Sequence, residues 1–166
     1  LALNRSRKFK TYEELEAAFF KQFDNLIEIS VAGTLVAQKL QKEMIPRPLF
    51  SALFGECLES GRDLVEGGAK YNIGPVLTGI GLAETANSLA AIKQLVYVDK
   101  VCTVDELLTA LDHNWEGYEK LRVLAVGAPK YGNDNDFVDD IARKIANHFN
   151  EKASTYTDIY GSRFVS

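Results

Sequence analysis

Apolar residues recur at three- and four-residue steps through most of the chain, and that spacing predicts a helix-dominated molecule. The first run is the longest. Leu15, Phe19, Phe23, Leu26, Ile27, Val31, Leu35, Val36 and Leu40 follow one another between Thr11 and about Met44. Thr11 with Glu14 reads as a capping box, and Glu13 and Glu16 put negative charge at the positive end of the helix. Pro46 and Pro48 stop the pattern. The expected element is one helix of about 33 residues, roughly 50 Å long at 1.5 Å per residue.

Pro48 then opens a second predicted helix carrying Leu49, Phe50, Leu53, Phe54, Cys57 and Leu58, with Gly61 as its C-terminal cap. From Glu66 the helical period gives way to a glycine-rich stretch. Six of the 12 glycines fall between Gly61 and Gly81, which implies unusual backbone geometry or close approach to a neighbour. Tyr71, Asn72, Pro75, Val76, Leu77 and Ile80 read there as short buried extended pieces. A helix from Glu84 to Val96 follows, with Leu89, Ile92 and Val96 on one face. Thr103 and Glu106 form a second capping box ahead of Leu107, Leu108 and Leu111. Asn114 to Gly117 make a break, Tyr118 to Val126 a short helix, and Ala128 to Asp136 a loop. Asn135 or Asp136 caps a last long helix that buries Val138, Ile141, Ile145 and Phe149.

Only two places read as strand, and two strands do not complete a sheet. The missing strands are expected outside this chain. Leu1 in place of an initiator Met, and a terminal Arg163–Ser166 that looks like the start of a strand, point the same way: a segment of something larger.

Composition narrows the classes. A net charge of −4 with dispersed basic residues argues against nucleic-acid binding, and the densest basic run, Arg5 to Lys10, reads as a solvated approach to the first helix. No apolar run approaches the roughly 20 residues of a membrane span. With no signal-peptide pattern and only Cys57 and Cys102 as thiols, a cytoplasmic, reducing setting is expected.

Candidate chemistry is sparse. Cys57 shares the predicted apolar face with Leu53 and Phe54 and reads as a core thiol, and Cys102 before a helix cap reads as structural. His113 and His148 lack ligand-type spacing, so no metal site is expected, and His148 reads as a surface or capping residue. Gly79-Ile80-Gly81 begins a dinucleotide fingerprint, but Glu84 stands at the third glycine position. Asp134, Asp136, Asp139 and Asp140 read as a solvated charge run at a helix start. Acid–base chemistry is open to Glu66 beside the glycines, but nothing in the sequence singles it out for that role.

Four strings in order carry more information than any single motif. They are PLFSALFGECLESGRD from Pro48, GGAKYN from Gly67, GIGLAETANSLAAIK from Gly79, and APKYGND from Ala128 followed by Val138-Asp139. Together they resemble the glycyl radical enzyme family, the pyruvate formate-lyase-like superfamily, colinearly from about Tyr12 to the end. The resemblance implies an α/β fold: residues 1–166 as a helix-dominated, partial segment of a ten-stranded α/β barrel built from two parallel half-sheets. It implies a parent enzyme in which a stored glycyl radical takes a hydrogen atom from a cysteine, whose thiyl radical then attacks a small organic substrate. An activating enzyme using S-adenosylmethionine and an iron–sulfur cluster installs that radical, and homodimers are implied.

The cysteine-loop and radical-glycine motifs do not occur in this sequence, and neither Cys57 nor Gly161 matches them. No catalytic, cofactor or metal residue is therefore expected here, and the segment alone should be inactive. What the resemblance implies for this chain is barrel wall. Gly67 to Gly81 would be one strand with its turns and Arg163 to Ser166 the start of another, with Tyr71, Asn72 and Thr78 as pocket-side candidates. The GGAKYN string is closer to the dehydratase, C–N or C–S lyase and decarboxylase branches than to formate C-acetyltransferase, which stays as an alternative. A stand-alone helical interaction module is the reading of a different class.

Overall fold

Helical turns occupy most of the computed structural model, which describes residues 9–71 and 76–166. Helix α1 is Tyr12–Met44, 33 residues, as its apolar period requires. Thr11 Oγ1 accepts the Glu14 amide at 3.3 Å, but the Glu14 carboxylate accepts the Lys10 amide at 2.8 Å, one residue earlier than a reciprocal box would have it. Arg5 to Lys8 of the basic run lie outside the described residues.

The second predicted helix is two short ones, α2 (Pro48–Ser51) and α3 (Gly55–Ser60), with Phe54 extended between them. Tertiary hydrogen bonds break it. Ser51 Oγ donates to Arg47 O and accepts the Leu64 amide, each at 2.8 Å, while Asp63 Oδ2 accepts the Arg47 amide at 2.8 Å. Desolvation pushes the Asp63 carboxyl up, yet the hydrogen bonds from Val65 and Arg47 outweigh it and leave it below its ordinary value. Gly61 ends α3 in the left-handed region at φ 62°, the cap its position announced.

Helix α4 is Leu82–Ile92, and Lys93–Val98 widens into a π turn where a continuous α-helix was expected. That turn carries Lys93, whose ammonium lies 4.8 Å from the Tyr12 ring centre and 5.0 Å from that of Phe137, and Tyr97, edge-on to Tyr12. Helix α5 (Val104–Asp112) opens on the complete capping box, Thr103 with Glu106. Helix α6 is Glu119–Gly127 and α7 is Asp136–Ser154, with Asn135 Oδ1 accepting the Phe137 amide at its start.

The chain divides into two compact units. One joins the residues up to Lys21 with Ile80–Ala146; the other joins Gln22–Gly79 with Asn147–Ser166. In the first, Val138, Ile141 and Ile145 of α7 and Ala86, Leu89 and Leu95 are buried, and Lys144 pairs with Glu16 of α1. In the second, Ile27, Val31, Leu77, Ala153 and Phe164 form the core, flanked by Phe23, Leu35, Phe149 and Tyr156. Among the described residues extended structure amounts to two isolated bridges, Val76 with Val165 in parallel and Thr157 with Arg163 antiparallel.

Candidate functional site

Among the described residues, the second unit holds the one parallel pairing of two extended pieces. Leu77 N–H donates to Val165 O at 2.9 Å, and Val76 stands opposite Val165 in parallel register. The second piece leaves a hairpin in which Phe164 N–H donates to Tyr156 O at 3.1 Å. Its turn is set by Asp158, whose Oδ1 accepts the amides of Tyr160 at 2.9 Å and Ser162 at 2.7 Å.

Side chains alternate across an extended backbone, and burial follows that alternation here. Leu77 and Phe164 are 7% and 1% exposed and pack on Ile27 and Val31 of α1 and Ala153 of α7. Val76 and Val165, each 57% exposed, face the other way together. Thr78 is exposed too and makes no hydrogen bond among the described residues. One face of the pair is sealed by helices, and the other is open.

Close approach explains two of the glycines. A Cβ on Gly68 would sit 2.3 Å from Arg62 O, a backbone atom with no freedom to withdraw. A Cβ on Gly79, which follows Thr78 on the sealed side, would meet the Phe149 ring at 3.0 Å.

The sequence candidates separate. Thr78 lies on the open face. Tyr71 is 81% exposed, with the Lys70 ammonium 5.6 Å from its ring centre, and no described contact brings it to Thr78. Asn72 lies outside the described residues, as does Pro75. The expectation of buried extended pieces holds for Leu77 and fails for Tyr71, Val76 and Ile80, which are 81%, 57% and 91% exposed. The residues that sequence reasoning missed are Val76 and Val165 as partners; their signal was alternation around Leu77 and Phe164, too short to weigh alone.

Elsewhere the chemistry is structural. Cys57 is buried, and desolvation, then Asp63 and Glu56, raise its thiol above the ordinary value. It does not share a helical face with Leu53 and Phe54, which lie in the break before α3 and are exposed. Cys102 is half-buried, and its thiol is likewise raised by desolvation. His113 ends α5 with Nδ1 2.8 Å from Thr109 O. His148 is half-buried and has partners that the expectation of a surface or capping residue did not include. Its Nε2 is 2.7 Å from Asp24 Oδ1 and its ring stacks on Phe23, because α1 and α7 pack together in this unit. The acidic run is only partly solvated: Asp140 pairs with Arg143, but Asp139 Oδ1 is buried without a hydrogen bond. Glu66 lines a hollow of about 640 Å³ with Glu43, Lys39, Lys42 and Arg62. Among the described residues no cluster of His, Cys, Asp and Glu is placed to hold a metal ion, and no helix is long and apolar enough to cross a membrane. Gly81 stands ahead of α4 at φ 87°, and Glu84 rather than a glycine occupies the third fingerprint position on that helix.

The paired Val76 and Val165 are themselves without chemistry, and the comparisons with known proteins supply the context. The family model for pyruvate formate lyase-like proteins matches residues 2–166. The chain belongs to the pyruvate formate lyase-like family. Trans-4-hydroxy-L-proline dehydratase of Clostridioides difficile is 38% identical over 159 residues, covering 95% of this chain and 20% of that protein. A crystal structure of hydroxyproline dehydratase from the same organism superposes with a TM-score of 0.87. (2S)-3-sulfopropanediol dehydratase of Klebsiella oxytoca is 40% identical over 136 residues, 80% of this chain and 16% of that protein. The crystal structure of a glycyl radical enzyme from Archaeoglobus fulgidus matches at 30% identity and a TM-score of 0.86, covering 96% of this chain and 20% of that one. The chain spans about a fifth of the length of these family members.

Proposed function

We propose that this chain is a segment of a glycyl radical lyase or dehydratase, one that cleaves a C–O, C–N, C–S or C–C bond in a small organic substrate. Its part is structural: it supplies a stretch of the wall of a ten-stranded α/β barrel. The observation that carries this reading is the parallel pairing of Val76 with Val165, sealed by α1 and α7 through Leu77 and Phe164 and open on its other face. Strands in a closed α/β barrel have helices on one side and the barrel interior on the other, and this pair has the first and awaits the second. Thr78 then faces the interior as a hydroxyl available to a substrate, with Tyr71 and Asn72 kept as further candidates from the GGAKYN string.

Family membership at this identity to two dehydratases supports the reading over formate C-acetyltransferase and over a free-standing helical module. The hydrogen-atom chemistry would be supplied by a glycyl radical and a cysteine on residues outside this chain, after action of an S-adenosylmethionine-dependent activating enzyme in the cytoplasm; a homodimer fits the same reading. The chain's own residues would shape the cavity and exclude water from it.

The test is anaerobic activation of the family-length protein that carries this segment, followed by electron paramagnetic resonance. A glycyl doublet with turnover of a hydroxylated or amino-substituted substrate is expected. No radical after activation, or turnover of pyruvate and coenzyme A alone, sinks the proposal.

A further inference from the structure

We propose that the hollow beside the end of α1 is a binding site for a small phosphorylated polyol. Lys39, Lys42, Glu43, Arg62, Glu66 and Tyr160 line its volume of about 640 Å³, a size suited to a small molecule. All of them belong to the second unit, and none belongs to the Val76–Val165 strand pair. The five charged side chains stand exposed, and among the described residues none of the five has a hydrogen bond or an ion pair. Elsewhere in the same unit opposite charges do meet, as Lys152 does with Glu28. The charge in the hollow is therefore open to a ligand.

The Tyr160 side of the hollow is fixed before any ligand arrives. Tyr160 donates its hydroxyl to Val65 O and its amide to Asp158 Oδ1 at 2.9 Å, and the Ile159 amide donates to Gln38 Oε1 at 3.5 Å. Gly67, at φ 80°, lies so close that a Cβ there would come to 3.0 Å from the Tyr160 ring. Sequence spacing sets the charged side. Lys39 and Lys42 are one turn apart on α1, where like charges repel, and Lys39 precedes Glu43 in the order that favours pairing least. An anion bound by both ammonium groups and the Arg62 guanidinium removes that repulsion. Arginine's planar fork suits paired phosphate oxygens, and lysine adds point charge. Three cations against two carboxylates leave the hollow net positive. An ionised carboxylate only accepts hydrogen bonds, so Glu43 and Glu66 select for hydroxyl groups on the rest of the ligand. Cations for a phosphate beside acceptors for hydroxyls define a phosphorylated polyol.

The site needs no radical chemistry, so it is tested on the unactivated family-length protein. Isothermal titration calorimetry at fixed ionic strength uses ribose 5-phosphate, inorganic phosphate and ribose as probes. Ribose 5-phosphate should bind about fivefold more tightly than inorganic phosphate, the worth of one hydrogen bond, and ribose alone should give no heat. Arg62→Gln should weaken both phosphates by about fivefold, as expected for one charge contact in a wet site. Glu66→Ala should tighten inorganic phosphate and shrink the advantage of ribose 5-phosphate. Both positions are exposed, so neither change should move the melting temperature. Absence of binding, or binding that Arg62→Gln leaves unchanged, overturns the proposal. Equal affinity for the two phosphates reduces the hollow to the site of an adventitious ion only and overturns it as well. Binding to vesicles carrying phosphatidylinositol 4-phosphate, without binding of ribose 5-phosphate, assigns the cations to a membrane surface instead.

Discussion

The side-chain amide of Gln38 donates to Asp158 Oδ2 at 3.1 Å, with both residues buried and 120 positions apart. The other oxygen of the same carboxylate closes the hairpin turn through Tyr160 and Ser162. One buried carboxylate therefore shapes the turn and ties it to α1. Replacing Gln38 with Leu leaves Asp158 Oδ2 without its donor and should destabilise the protein by about 1–3 kcal/mol. Chemical denaturation checks this, and an unchanged midpoint would remove the pin from the account.

Two of the crowded glycines, Gly68 and Gly79, should differ in severity. Gly68→Ala drives a Cβ into a carbonyl, whereas Gly79→Ala presses on a ring that can tilt. Overpacking of this kind costs about 1–3 kcal/mol, with Gly68→Ala at or above the top of that range. Phe149→Leu in the Gly79→Ala background should restore part of the lost melting temperature; no recovery would place the strain elsewhere.

Much of this was legible in the sequence because its causes are local. Apolar period and flanking prolines located α1, Thr103 with Glu106 announced a cap, and Gly61 an end to α3. The break between α2 and α3 was not legible, since it depends on Ser51 and Asp63 meeting Leu64 and Arg47 in the folded chain. Nor was the partnership of His148 with Asp24, which exists only once two helices pack. Family strings led to the expectation of barrel wall, but the residues on the open side of the strand pair emerged only from burial on either side of Leu77 and Phe164.

Glu106 offers a pH test. The Thr103 amide and hydroxyl donate to its carboxylate and hold it below its ordinary value of 4.5. A carboxyl depressed in the folded state contributes stability above its unfolded pKa and loses it as pH falls through the folded one. The Thr103→Ala protein should be less stable by about 1 kcal/mol near neutrality. Its deficit should shrink below pH 4.5, and a constant deficit down to strong acid would contradict the assignment.

Cys102 and Cys57 should react in that order. Cys102 is half-buried and Cys57 almost wholly so, and burial raises both thiols. Alkylation under native conditions, followed by peptide mass mapping, should modify Cys102 slowly and leave Cys57 until denaturant is added. Equal rates would contradict the buried position of Cys57.

Thr78 gives the functional prediction. In the activated family-length enzyme, Thr78→Val should weaken substrate use by three- to tenfold, about 0.5–1.5 kcal/mol for one hydrogen bond, without moving the melting temperature. A loss of stability in step with activity would make Thr78 a packing residue.

The Val76–Val165 bridge also has a consequence for how the protein is made. Its partners are separated by roughly 90 residues, a high-contact-order pairing that gains nothing until the chain between them is in place. At about 5–20 residues added per second, the strand at Leu77 waits on the order of ten seconds on the ribosome for Phe164 to emerge. Of the residues that bury Leu77 in the folded protein, Ile27 and Val31 of α1 are made before it, whereas Ala153 and Phe164 come long after, so α1 is the one part of that core present during the interval.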